Sequence, residues 1–194
     1  MTKNEFLHRF QLHSLTDSIH SFQYQRTLKS AAVLIPIVET TLSDNTQQLD
    51  IILTKRAEHL KHHGGQISFP GGKAEPYDKN LISTAIRESQ EEIGLKPNNV
   101  EIVGQLHPYQ TISGYIVTPI IAFIPCEQSF ILDDNEVAEI FQVPLHHFLN
   151  NKNHHFVNVL QKEIQHKVHF MPYQHYNIWG ATAAMLKDLI AHLD

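Results

Sequence analysis

Three glutamates, Glu88, Glu91 and Glu92, recur at i, i+3 and i+4 within RESQEEIGL. On a helix, at 100° per residue, they fall within about a 100° arc over a single turn. Like charges so placed repel by about 0.2–0.5 kcal/mol per pair. The arrangement becomes favourable when a hard divalent cation such as Mg²⁺ draws carboxylate oxygens together. A charged helix face is common by itself. What singles this one out is the stretch before it, GGQISFPGGK at positions 64–73, which holds four of the chain's eight glycines. Bare backbone carbonyls and amides in such a segment can close on a cation or a phosphate.

These residues need a scaffold to position them. A helix is predicted from about Asp78 to Ile93, with Asp78 as N-cap, Gly94 as the C-terminal stop and Pro97 just beyond. Its apolar face, Ile82, Ala85, Ile86, Ser89 and Ile93, is expected to pack on a sheet. Compact apolar runs at Ala31 to Val38 and Leu49 to Lys55 read as strands, joined by the polar loop ETTLSDNTQQ. Further strands are predicted at Gln66 to Phe69, Val100 to Leu106, Tyr115 to Ile124, Ile140 to Val143, Phe156 to Leu160 and Lys167 to Met171. Residues 3 to 12 form a short amphipathic helix, and Ile178 to Leu193 closes the chain as a second main helix, with Trp179, Ala183, Leu186 and Ile190 at helical spacing. Strands outnumber helices without regular βαβ alternation, which makes the fold class α+β with a mixed central sheet.

Composition narrows the function classes. The 194 residues suit one domain with a sizeable core. A formal net charge of −5 without a long basic run argues against broad binding to nucleic acid or a membrane surface. The single cysteine, Cys126, rules out an internal disulfide and fits a reducing compartment. The most apolar stretch, Tyr115 to Pro125, is too short to span a bilayer. The polar opening MTKNEFLHRF is unlike a signal peptide, so a cytoplasmic protein is expected. The fifteen histidines include three adjacent pairs, but no Cys or His set has zinc-site spacing.

Gly72, Asp78, Arg87–Glu88, Glu91–Glu92 and Gly94–Leu95 together closely resemble the Nudix box, a loop–helix–loop that binds Mg²⁺ or Mn²⁺ in enzymes hydrolysing a nucleoside diphosphate linked to another moiety. Ser89 departs from it, standing where an aliphatic residue is preferred. Eight residues rather than seven separate Asp78 from Arg87, and Asp78 replaces a glutamate, so Glu75 rivals it for the same supporting job. Upstream, LTKRAEHLKHHGGQISFPGG (53–72) is similar to the extra motif of the coenzyme A pyrophosphatase branch, with Arg56, Leu60, His63, Gly65, Phe69, Pro70, Gly71 and Gly72 in place and Lys61 where that branch usually has Arg. The likeness continues through SGYIVTP, DNEVAEIFQVPL and IWGATA.

The resemblance implies a Nudix fold, a mixed sheet sandwiched between helices, over residues 30–194; residues 1–29, outside the likeness, are expected to form a helical extension packed on it. It implies hydrolysis of the diphosphate of coenzyme A or acyl-CoA to 3′,5′-ADP and 4′-phosphopantetheine. Gly72, Glu88, Glu91 and Glu92 would hold the metal. Arg87 would orient a glutamate through an ion pair. Glu136, with Glu139 as rival, would activate water, a task Glu88 or Glu91 could also take. Arg56, Lys61, His63 and Gly65 would meet the substrate phosphates. Another nucleoside diphosphate derivative such as NADH, ADP-ribose or a nucleoside triphosphate is the alternative substrate, and a non-catalytic binding module the alternative class. A homodimer is left open.

Overall fold

The computed structural model describes residues 1–12, 27–161 and 164–194. Part of the expected N-terminal extension, 13–26, thus lies outside the described residues. The centre of the molecule is β1 (Lys29–Thr41), whose apolar run pairs along its length with β7 (Tyr115–Phe123) in parallel, from Lys29↔Tyr115 to Ile37↔Phe123. On its other edge β1 pairs antiparallel with β2 (Gln47–Arg56), through Ile37↔Ile51 to Thr41↔Gln47, and with the short β4 (Gly71–Lys73). β2 carries β3 (Ile67–Ser68) and β8 (Val137–Pro144), and β7 carries β5 (Glu101–Gln105) and β6 (Tyr109–Gln110). The result is a mixed sheet of eight strands among the described residues.

Alternation along β1 divides the core in two, because successive side chains point to opposite faces. Ala32, Leu34 and Val38 join Ile52, Ile120 and Ala122 beneath α2 (Leu81–Ile93), through Ala85, Ile93 and the following Leu95. Ala31, Ile35 and Ile37 join Ile51, Leu53 and Ile121 on the opposite face, under α4 (Gly180–Leu193) and α1 (Lys3–Leu12). Phe6 of α1 is fully buried and meets Phe123 edge-on at 5.5 Å. Phe10 lies over Gly104, where any Cβ would come within 2.7 Å of its ring. The Arg9 guanidinium and the Phe10 carbonyl tie α1 to α4 through Leu193 O and His192 Nε2. The chain is therefore a sheet between helices, an α+β Nudix-type layering.

Several predicted elements shift at their ends. The polar loop after β1 shrinks to a turn, closed by Leu42 N–H on Thr46 O with Asn45 at φ 64°, because antiparallel pairing continues to Thr41↔Gln47. Gly71 and Gly72, read from sequence as open loop, pair with Val33 and Ala32 as part of β4. The short α3 (Leu145–Leu149) and the strand β6 were not predicted. β9 (His155–Gln161) and β10 (Ile164–Phe170) form a separate antiparallel hairpin.

β10 carries a pH-sensitive group. His169 is 4% exposed. Burial, reinforced by the positive charges of Lys187, Lys167 and His154, pushes its imidazolium down to about 4 from the ordinary 6.5. Across that window the unfolded chain takes up a proton that the folded chain refuses, so stability is lost as pH falls. Urea denaturation at about pH 7 and about pH 5 should show a lower midpoint at the acidic value, with a smaller drop in His169→Gln.

Candidate active site

α2 begins later than predicted. Its N-cap is Asn80, whose Oδ1 accepts the Ser83 N–H at 2.9 Å while Ser83 Oγ accepts the Asn80 N–H at 3.0 Å, a reciprocal capping box. The correction has a local cause. The extra residue between Asp78 and Arg87 leaves Asp78 two positions ahead of the helix N-cap, where its carboxylate turns back onto the helix side. Oδ1 receives Arg87 Nε at 3.0 Å, and Oδ2 receives Arg87 Nη2 at 3.0 Å, Thr84 Oγ1 at 2.9 Å and the Glu75 N–H at 2.9 Å. This fork, with the Arg87 hydrogen bonds leading, holds the Asp78 carboxyl well below the usual carboxylate range. Glu75, the rival for that position, instead pairs with Lys73 Nζ at 3.2 Å.

Arg87 is the hub of the segment. Besides Asp78 it reaches Glu88 Oε1 at 2.8 Å and Glu91 Oε2 at 2.9 Å through Nη1, and Lys73 O at 3.1 Å through Nη2. Ser89, the departure from the box pattern, is fully buried and donates its hydroxyl to Ala85 O at 2.7 Å, so it packs inside at no cost in unpaired polarity. Gly94 ends the helix at φ 66°, donating to Gln90 O at 3.0 Å.

The three glutamates occupy different environments. Glu91 is exposed at 58% of its side chain, Glu88 is largely covered, and Glu92 is 3% exposed. The helix therefore buries Glu92 and Thr84 alongside Ala85, Ser89 and Ile93, whereas Ile86, predicted for the sheet face, is only half-buried. Glu92 is drawn inward by two donors: the Gly71 N–H at 3.0 Å on Oε2, and Arg56 Nη1 at 3.5 Å from Oε1. Burial pushes its carboxyl up to about 8, opposed by Gly71 and Arg56 and reinforced by repulsion from Glu136 and Glu88. Glu88 is raised as well, first by burial, with Arg87 opposing and Glu91 and Glu136 adding repulsion.

The glycine stretch closes on this cluster from β4. A Cβ on Gly72 would lie 2.4 Å from Glu88 Oε2. Arg56 is delivered by the end of β2, where the register against β8 shifts between Lys55 and Arg56. Its backbone is gripped on both sides, its N–H donating to Gln66 O at 2.9 Å and its carbonyl accepting from Gly65 N–H at 3.1 Å. Gly65, at φ 71°, packs on the Glu58 carboxylate, which would sit 2.5 Å from any Cβ there.

The family model described as NUDIX domain matches residues 32–162, which include this loop and helix. The chain belongs to the Nudix family. It is 41% identical over 192 residues to "Uncharacterized Nudix hydrolase NudL" of Yersinia pestis (strain Pestoides F), covering 96% of this chain and 92% of that protein. The same figures hold for the protein of that name from Yersinia pseudotuberculosis serotype O:1b. Among solved structures, a MutT/nudix family protein from Enterococcus faecalis shares the fold with a TM-score of 0.55 at 16% identity, over 97% of this chain and 68% of that one. As a Nudix hydrolase the chain acts on a nucleoside diphosphate derivative, breaking a phosphoric anhydride, and Nudix hydrolases generally use divalent metal ions.

Within this Nudix framework Glu136 and Glu139, the latter on β8, part company. Glu136 follows the segment that runs back along α2, where Ile131 N–H donates to Ile93 O and Asp133 N–H to Glu92 O. Its carbonyl accepts from Ala57 N–H at 2.9 Å, and its charge is felt by both Glu88 and Glu92. Glu139 lies on the opposite face of the sheet, accepting the Tyr176 hydroxyl beside a Phe141–Tyr176 stack at 3.6 Å. Lys61 and His63 are exposed on the 57–66 loop, with His63 Nδ1 turned to Gln66 Oε1 at 2.8 Å. Sequence reasoning missed Asn80, Thr84 and the Gly71 N–H. Asn80-x-x-Ser83 carries the pattern of a capping box and Gly71 stands in the glycine stretch already singled out, whereas Thr84 leaves no trace outside the folded chain.

Among the described residues no three His, Cys, Asp or Glu side chains form a finished metal cage. Arg87 and the Gly71 N–H occupy oxygens that such a cage would use. The donor set nonetheless fits a hard cation. Glu88 and Glu92, raised first by burial and further by neighbouring carboxylates, are relieved by a divalent charge among their oxygens.

Proposed function

We propose that this Nudix hydrolase cleaves the diphosphate of coenzyme A or acyl-CoA, releasing 3′,5′-ADP and (acyl-)4′-phosphopantetheine, with Mg²⁺ or Mn²⁺ as cofactor. One observation carries the reading: the segment 53–72, whose sequence resembles the coenzyme A pyrophosphatase motif, is built into the carboxylate cluster itself. Its Arg56 approaches Glu92 at 3.5 Å, and its Gly71 N–H binds Glu92 at 3.0 Å. The lone Cys126, an exposed free thiol, agrees with a cytoplasmic setting.

In this mechanism Glu88, Glu91, Glu92 and the Gly72 carbonyl hold the metal. A bound divalent ion supplies Lewis-acid stabilisation of charge on the phosphate oxygens and lowers the pKa of water. Arg87, clamped by Asp78, fixes Glu88 and Glu91 in place and has no free fork left for substrate. Glu136 accepts the proton of the attacking water, its loop being pinned beside Arg56 through Ala57. Arg56, Lys61 and His63 receive the anionic phosphates from the 56–66 side, with Gly65, its N–H on the Arg56 carbonyl, shaping that loop.

The test is a substrate panel with each metal: coenzyme A, acyl-CoA, NADH, ADP-ribose and nucleoside triphosphates. The highest kcat/KM is expected for coenzyme A or an acyl-CoA. Coenzyme A left intact while another diphosphate is cleaved overturns the substrate assignment, and cleavage of none with either metal favours a binding module.

A further inference from the structure

Glu92 is a buried carboxyl group, 3% exposed, and some neighbour must hold its oxygens whenever no metal is bound. The neighbour placed to do so is Arg56, with Nη1 3.5 Å from Oε1, while the other oxygen is held by the Gly71 N–H at 3.0 Å. We propose that Arg56 is a positioning residue for Glu92, a resident cationic donor that holds its carboxyl group in the metal-free protein and yields that place to a divalent cation. The inference rests on the reading of the α2 carboxylates as a metal site.

The geometry suits a stand-in better than a permanent pair. The contact is longer than a tight Arg–carboxylate hydrogen bond, and only one arm of the guanidinium makes it. The Arg56 side chain remains 25% exposed although its partner is 3% exposed, so it retains a path to solvent and to an incoming anion. Arg87 is different: it is locked by a two-pronged fork on Asp78. The backbone of Arg56, by contrast with its side chain, is pinned by Gln66, Gly65 and, through Ala57, by Glu136. The anchor is fixed and the head group can swing. Removing such a donor leaves a buried carboxyl oxygen unsatisfied, which costs more than removing both partners.

The experiment is a double-mutant cycle of Arg56→Gln and Glu92→Gln, read as thermal midpoints in EDTA and again with saturating Mn²⁺, with Arg56→Lys alongside. In EDTA, Arg56→Gln should lower the midpoint by about 5 °C when introduced into the wild type and by less than about 2 °C when introduced into Glu92→Gln. Arg56→Lys should recover part of the loss, because it restores the charge without the fork. With Mn²⁺ the cost of Arg56→Gln in the wild type should shrink. Equal costs in the two backgrounds in EDTA overturn the pairing. A cost unchanged by Mn²⁺, in a protein that Mn²⁺ stabilises, overturns the exchange of partners. A wild type that Mn²⁺ does not stabilise removes the metal reading and the exchange with it, while the cycle in EDTA still decides the pair.

Discussion

Glu92→Gln should reduce turnover by about a thousandfold or more and leave the metal-free protein at least as heat-stable as the wild type. The two halves have separate causes. Glutamine matches glutamate in shape, and its carbonyl oxygen can still accept the Gly71 N–H that Glu92 accepts at 3.0 Å. The site is 3% exposed and burial pushes the carboxyl up to about 8, so at neutral pH the metal-free side chain is already largely uncharged. Replacing it by a neutral isostere of the same shape therefore takes away little that stabilises the metal-free protein. Catalysis suffers because an amide is a poor ligand for a hard cation. Loss of about 4 kcal/mol of metal-assisted transition-state stabilisation corresponds to about a thousandfold. Steady-state kinetics with Mg²⁺ and a thermal melt in EDTA separate the halves, and near-normal kcat would remove Glu92 from the metal site.

Adjacent glycines should give opposite outcomes. Gly71→Ala should cost more than about 3 kcal/mol in stability, because Gly71 sits at φ 152° and its Cβ would lie 2.4 Å from Ala32 O and 2.5 Å from Val33 Cα. Both are backbone atoms of the central strand and cannot yield. Gly72→Ala meets only the end of a side chain, Glu88 Oε2 at 2.4 Å, which can swing away. That protein should fold with a loss of about 1 kcal/mol and lose activity by about a hundredfold, the effect of moving a reacting group by about 1 Å. Urea denaturation and kcat measured together give the contrast. A stable Gly71→Ala, or a fully active Gly72→Ala, would contradict the packing of β4 against the site.

What could be read beforehand was whatever is written as local pattern. The i, i+3, i+4 glutamates and Gly94 declare the helix, its acidic face and its stop, and compact apolar runs declare β1, β2 and β7. What could not be read depends on partners distant in the chain. Ser89, a polar departure in the pattern, is buried because Ala85 O accepts its hydroxyl. Glu92 leaves the acidic face for the interior because Gly71 and Arg56, 21 and 36 residues earlier, meet it there. The choice between Glu136 and Glu139, open from spacing, turns on which face of the sheet each one meets. Asp78 looked like a cap because its residue type suits one, but one inserted residue moved it to the Arg87 fork and passed the cap to Asn80.

The most direct measurement is product analysis of coenzyme A incubated with the wild-type protein and Mg²⁺, run beside Glu92→Gln. The account predicts 3′,5′-ADP and 4′-phosphopantetheine in equal amounts, formed by the wild type and lost with EDTA or with Glu92→Gln. Intact coenzyme A, or the same products formed at an unchanged rate by Glu92→Gln, would contradict it.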